Sequence, residues 1–228
     1  MRFKVVAATS EDRALTIADQ DLTPGIDPFL LQWGLTTPPK GVKRRFLTLN
    51  EYSDEFGRLI QILGNADAPF GSPYTGTDNY LQYPTATSPT DLKAVGSTSE
   101  NVKSGSTEVW EIFNTTGDVH PMHFHLVNVQ VINRQLFDLA DPTFSTFTGD
   151  VIPPAPNELG WKETVPMYPG TVTRIIMKFD LSQAQIIGAN GKVIKTPSSP
   201  RTGGAEYVWH CHILEHEEHD MMHALVVT

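Results

Sequence analysis

The only cysteine of the 228-residue chain, Cys211, lies between two histidines in the stretch YVWHCHILEHEEHDMM (207–222), with His216 and Met221 a few residues downstream. A second run, HPMHFH (120–125), holds His120, His123 and His125. Both runs read as strands, in which alternate side chains share a face. His123 and His125 therefore point the same way, and so do His210 and His212, while Cys211 points to the opposite side of its strand. One strand can thus serve two sites. Pro121 favours a turn that frees His120 to point away from the His123 and His125 pair. The segment ILEHEEHDMM is long enough to fold back around the sulfur. His120, Cys211, His216 and Met221 then offer two imidazoles, one thiolate and one weak thioether. That donor set suits copper in a trigonal His2Cys site with a long axial methionine, the arrangement of blue electron-transfer centres. Zinc accepts histidine and cysteine, but thioether is a poor ligand for it and structural zinc sites usually pair cysteines.

The elements that must carry these donors are strands separated by turn residues. RRFLTLNEY, RLIQILG, STEVWEIFNTT, HFHLVNVQVINR, TVTRIIMKFD and AEYVWHCHI alternate or run apolar, with Gly, Pro, Asn and Asp between them. Only DLSQAQII and LEHEEHDMMH suggest helical turns. The expected fold is all-β, a sandwich or barrel with Greek-key connections and a few short helical turns. At the amino end MRFKVVA is a short β-like run, and a polar, Pro-rich segment follows it. The expected organisation is an orphan strand over residues 1–8, a linker over 9–43 and one β domain over 44–228.

Composition narrows the function classes. A hydrophobic content of 39% supports a real core, and the formal charge of −9 comes without a Lys/Arg run able to track a phosphate backbone. Nucleic acid is not an expected partner. No stretch reaches a membrane-spanning apolar length, and the first residues lack the plan of a signal peptide. A lone cysteine forms no intrachain disulfide, so the residues themselves leave the compartment open.

HPMHFHLVNVQVINR (120–134), GWKETV (160–165) and YVWHCHILEHEEHDMM (207–222) resemble the multicopper oxidases, in particular the spore-coat laccase and bilirubin oxidase branch. The resemblance spans roughly residues 45–228 and implies a carboxy-terminal cupredoxin-like domain. It implies that His120, Cys211 and His216 are ligands of a type 1 copper, with Met221 axial. It further implies that His123 binds a type 2 copper, and that His125, His210 and His212 bind a type 3 pair. Glu217 matches a carboxylate associated with proton delivery to dioxygen. In such an enzyme a phenolic, other aromatic or metal-ion reductant gives up electrons at the type 1 site. They pass through Cys211 and its neighbours His210 and His212 to a trinuclear cluster that reduces dioxygen to water. The family also suggests an extracytoplasmic, spore- or cell-surface setting.

The chain departs from the family pattern in one respect. A trinuclear cluster takes eight histidines, four of them from two H-x-H motifs in an amino-terminal domain, and this chain has H-x-H only at 123–125 and 210–212. The remaining ligands would come from amino-terminal cupredoxin domains of a parent chain or from another chain, and the isolated chain is expected to be inactive as an oxidase. A stand-alone blue-copper electron carrier is the alternative, and a metal-free or zinc-bound fragment a third. A carrier has no use for four further histidines on one face. His219 and His223 are expected at the surface, Glu215 and Glu218 in solvent, and Met122, Met167, Met177 and Met222 in packing roles.

Overall fold

The computed structural model describes residues 42–65, 100–141, 144–196, 198–199, 204–219 and 221–228. The strand expected over 1–8 and nearly all of the linker expected over 9–43 lie outside them.

Strands β1 (Lys43–Ser53), β2 (Leu59–Asn65), β4 (Thr107–Asn114), β6 (Val129–Leu136) and β8 (Thr171–Lys178) form one five-stranded sheet in the order β2-β1-β4-β8-β6. A second five-stranded sheet has the order β3-β12-β11-β5-β7, built from β3 (Glu100–Val102), β5 (His120–Phe124), β7 (Thr164–Met167), β11 (Ala205–Cys211) and β12 (Met222–Val227). A small hairpin, β9 (Ile186–Ile187) with β10 (Val193–Lys195), stands apart from both. From β4 to β8 each successive strand changes sheet, so the connections bridge the layers and the two sheets form a sandwich. The pairs β1–β4 and β3–β12 are parallel and the other named pairs antiparallel. Among the described residues the only α-helix is α1 (Leu214–Glu218).

The core lies where the inner faces meet. Trp110 of β4 crosses the layers to pack edge-on against Trp209 of β11, with ring centroids 5.5 Å apart, and against Phe124 of β5 at 5.9 Å. All three rings are buried, and large aromatic groups in such edge-to-face pairs gain contact energy beyond their area. Met122, Met167 and Met177 are core residues as expected, and Cys211 and Met221 belong to the same cluster.

Two local expectations are revised. HFHLVNVQVINR is not one strand, because Leu126 has φ 70°. That left-handed backbone ends β5 and releases the chain to cross to β6 in the other sheet. Pro121 does not make a turn either; it lies inside β5, opposite Pro166 of β7. His120 faces away from His123 simply because an odd separation in a strand reverses the side.

The long connection from β6 to β7 is held by Glu158. Its carboxylate accepts from Arg134 of β6 through two nitrogens, at 2.8 and 2.6 Å, and from the Ala155 backbone N–H at 3.0 Å. Arg134 also donates to the Pro166 carbonyl at 2.9 Å, tying β6 in one sheet to β7 in the other. Hydrogen bonds from Arg134 hold the Glu158 carboxyl below its ordinary value of 4.5, with partial burial opposing them and the Ala155 N–H assisting. A carboxyl depressed in the fold contributes stability above its unfolded pKa and loses it as pH falls through the folded one. The stability difference between wild type and Glu158→Gln, followed by denaturant unfolding, should therefore be largest near neutrality. It should shrink as the pH falls below 4.5; a difference independent of pH would contradict the pairing. Arg134→Met leaves the carboxylate unpaired and should cost about 3 kcal/mol at neutral pH.

Candidate metal centre

His120 opens β5 and Cys211 closes β11, two neighbouring strands whose register places Trp209 opposite Phe124, His210 opposite His123 and Cys211 opposite Met122. The inward face of β11 carries Trp209 and Cys211, and that of β5 carries His120, Met122 and Phe124. The chain then turns into α1, where the Glu217 N–H donates to the Ile213 carbonyl at 2.9 Å and the Met221 N–H to the His216 carbonyl at 2.9 Å. The Cys211 N–H donates to the Met221 carbonyl at 3.0 Å, closing a loop that carries His216 back over the sulfur.

Cys211 Sγ stands 3.6 Å from Nδ1 of His120 and 3.6 Å from Nδ1 of His216, and the two nitrogens are 3.2 Å apart. All three residues are buried, as is Met221. Burial, with the charge of His216 second, lowers His120 to about 4. Burial likewise pushes the Cys211 thiol up to about 11; a backbone hydrogen bond from Ile213 opposes the rise, and the charges of Glu217 and Asp118 add to it. Two soft or borderline nitrogens and one sulfur converging inside a core is a donor set that fits copper. Because the thiol is protonated without metal, copper uptake must displace its proton.

The other faces of the same strands build a second group. Ligand atoms of His123, His125 and His210 lie within 4.8 Å of one another. The ring of His212 is 5.5 Å from that of His123 and 5.5 Å from that of His210. His125 lies just past the end of β5 yet keeps its facing, since its N–H donates to the Val208 carbonyl at 3.0 Å. Burial, then the charges of His123 and His210, lowers the His125 pKa. Glu217 is half-buried at the margin of this group, with Oε2 3.4 Å from His210 Nδ1.

Several partners of these histidines escaped the sequence reading. Nδ1 of His123 is 2.9 Å from the Glu163 carbonyl and 3.1 Å from the Thr164 hydroxyl, because β7 pairs with β5. Nδ1 of His210 is 3.0 Å from the Cys211 carbonyl. A ring nitrogen that donates to a carbonyl leaves the other nitrogen as the metal-facing lone pair. The Thr116 hydroxyl lies 2.7 Å from Nε2 of His120. Thr164 could have been suspected from its place in GWKETV; Thr116 carries no signal beyond lying four residues before His120. The expectation of a surface His223 is wrong. It is 4% exposed on β12, opposite Trp209, because the chain re-enters the sheet directly after Met221. Glu215 and Glu218 are exposed as expected, and His219 is half-buried with a buried Nδ1 that has no hydrogen-bond partner.

Residues 72–185 and 190–228 match the family described as multicopper oxidase, most of the chain. The chain belongs to that family. It is 32% identical to a laccase of Bacillus subtilis (strain 168) over 219 residues, covering 91% of this chain and 36% of the laccase. It is 33% identical to a laccase of Bacillus stratosphericus over 217 residues, covering 89% of this chain and 35% of that protein. The crystal structure of the McoA multicopper oxidase of the hyperthermophile Aquifex aeolicus aligns with a TM-score of 0.47 at 21% identity, covering 84% of this chain and 31% of that one. The chain spans about a third of the length of these curated relatives. Copper is the cofactor of multicopper oxidases, and His120, Cys211 and His216 could hold it as a type 1 ion.

Full burial predicts a silent thiol. In the folded, metal-free chain Cys211 should resist a neutral aromatic disulfide reagent and react stoichiometrically once denaturant is added. Rapid labelling of the folded chain would contradict the packed sulfur.

Proposed function

We propose that this chain is the carboxy-terminal copper domain of a laccase-like multicopper oxidase, with a complete type 1 site and half of the ligands of a trinuclear site. The observation that carries this reading is the division of labour around Cys211. Its sulfur meets two imidazoles in the core, while the imidazoles on either side of it in sequence join a second histidine cluster. A stand-alone electron carrier would leave that second cluster without a task.

In this reading His120, Cys211 and His216 would hold the type 1 copper, and Met221 would add a weak thioether donor. His123 serves the type 2 position, and His125, His210 and His212 serve the type 3 pair. Copper supplies one-electron oxidation of a phenolic, other aromatic or metal-ion reductant at the type 1 site and reduction of dioxygen to water at the trinuclear site. The chain's own contribution is distance and insulation. Cys211 and its neighbours form a covalent bridge between the two sites, each residue of a strand spanning only about 3.3 Å. Trp209, Phe124 and Met122 exclude water from the sulfur side. Glu217, half-exposed beside His210, is placed to hold or pass a proton at Oε2. The missing histidines belong to amino-terminal cupredoxin domains of the same parent protein, or to another chain. In this reading the copper domain lies within residues 44–228.

Copper stoichiometry, visible spectrum and oxygen uptake on a phenol test the proposal together. The chain alone should take up about one copper tightly, turn blue, and consume no oxygen. Uptake should appear once domains bearing the other histidine motifs are supplied. A colourless copper complex would overturn the type 1 assignment, and uptake by the isolated chain would overturn the half-cluster. Cys211→Ser should abolish the blue absorption, which arises from sulfur-to-copper charge transfer. Met221→Leu should keep the colour and raise the reduction potential, because a donor that favours the oxidised ion is removed; an unchanged or lower potential would refute the axial role.

A further inference from the structure

The polar groups behind His120 form a chain whose proton positions can be worked out one by one. Asn114, the last residue of β4, is fully buried. Its side-chain Nδ2 donates to two backbone carbonyls, Asp118 at 2.7 Å and Met167 at 2.9 Å. Its Oδ1 accepts from the Thr116 backbone N–H at 2.9 Å, a group that can only donate. The amide therefore has one orientation, with oxygen towards Thr116. The Thr116 hydroxyl stands 2.8 Å from that same Oδ1, an atom that can only accept, so the hydroxyl proton is directed there. The Asp118 carbonyl, at 3.3 Å, is a weaker competitor for the proton. With its proton committed, the hydroxyl oxygen is an acceptor, and it already receives the Asp118 N–H at 3.2 Å. Nε2 of His120, 2.7 Å away, must then be the donor.

We propose that Asn114 and Thr116 are positioning residues that hold His120 as its Nε2–H tautomer, so that Nδ1 presents its lone pair to the metal beside Cys211 Sγ. The device rests on the reading of His120 as a copper ligand, and it deepens that reading by naming what orients the ligand. Its anchor spans the sandwich: Asn114 ends a strand of one sheet, and the Met167 carbonyl that fixes its amide ends β7 of the other. The ring is therefore aimed before metal arrives. Outer partners of this kind typically govern metal affinity by about 10–100-fold.

The test uses the full 228-residue chain with ring-nitrogen NMR of the metal-free protein and copper competition against a chelator. Wild type should show His120 protonated at Nε2. Thr116→Val, close in shape but without a hydroxyl, should release the tautomer preference and weaken copper binding by about 10–100-fold. Thr116→Ser should restore both. A wild-type Nδ1–H tautomer at His120 would overturn the proposal without any variant, which covers the case of a Thr116→Val chain that fails to fold. A folded Thr116→Val chain with unchanged tautomer and unchanged copper affinity would overturn it as well. The tautomer is read without metal, whereas the type 1 reading stands or falls on the blue band of the wild-type copper complex, so the two failures are distinguishable.

Discussion

The register of β11 against β5 is the constraint on which the rest of the candidate site depends. With His210 opposite His123 and Cys211 opposite Met122, the period of two along each strand sends the thiol into the core and the flanking imidazoles to the other side. A slip of one residue would exchange the faces, burying histidines against Trp110 and exposing the sulfur. The aromatic packing of Trp209 and Phe124 across the sandwich on Trp110 opposes that slip, because the largest rings of the core would have to leave it. Core packing and ligand placement are thus consequences of one alignment.

Burial then sets the electrostatics. Imidazole and thiol in a core are disfavoured as ions, so both are driven toward their neutral forms. For the imidazoles, neutrality is the form that binds metal. For the thiol it is not, and the gain from copper–thiolate bonding must offset both deprotonation and the burial of charge. The fold assembles ligands that have few alternative partners among themselves, at the cost of keeping polar groups inside an apolar cluster.

The buried polar residues outside the ligand set tie the two sheets together near the metal donors. Arg134 links β6, Glu158 and the Pro166 carbonyl, fixing β7 near its end. From that strand Thr164 and the neighbouring Glu163 carbonyl reach His123. Asn114 links the end of β4 to Met167 at the end of β7 and, through Thr116, to His120. Hydrogen bonds in a low-dielectric interior are strong and directional, so these links set angles as well as distances.

Sequence alone was enough to see that His210 and His212 share a face, as do His123 and His125, since strand alternation is a local property. The donor types of His120, Cys211 and His216, the all-β class and the resemblance to multicopper oxidases were legible too, because each is carried by residue type and local pattern. The break at Leu126, the burial of His223, and the contacts of Glu163, Thr164 and Asn114 were not. Their partners lie far away along the chain or depend on a single backbone angle, and only the pairing of β5 with β7 and the stacking of two sheets bring them together. The sequence by itself determined which atoms could bind copper. Tertiary structure decided which of them meet, which way each ring faces, and that the thiol is buried, because distance, orientation and desolvation exist only once the two sheets have closed.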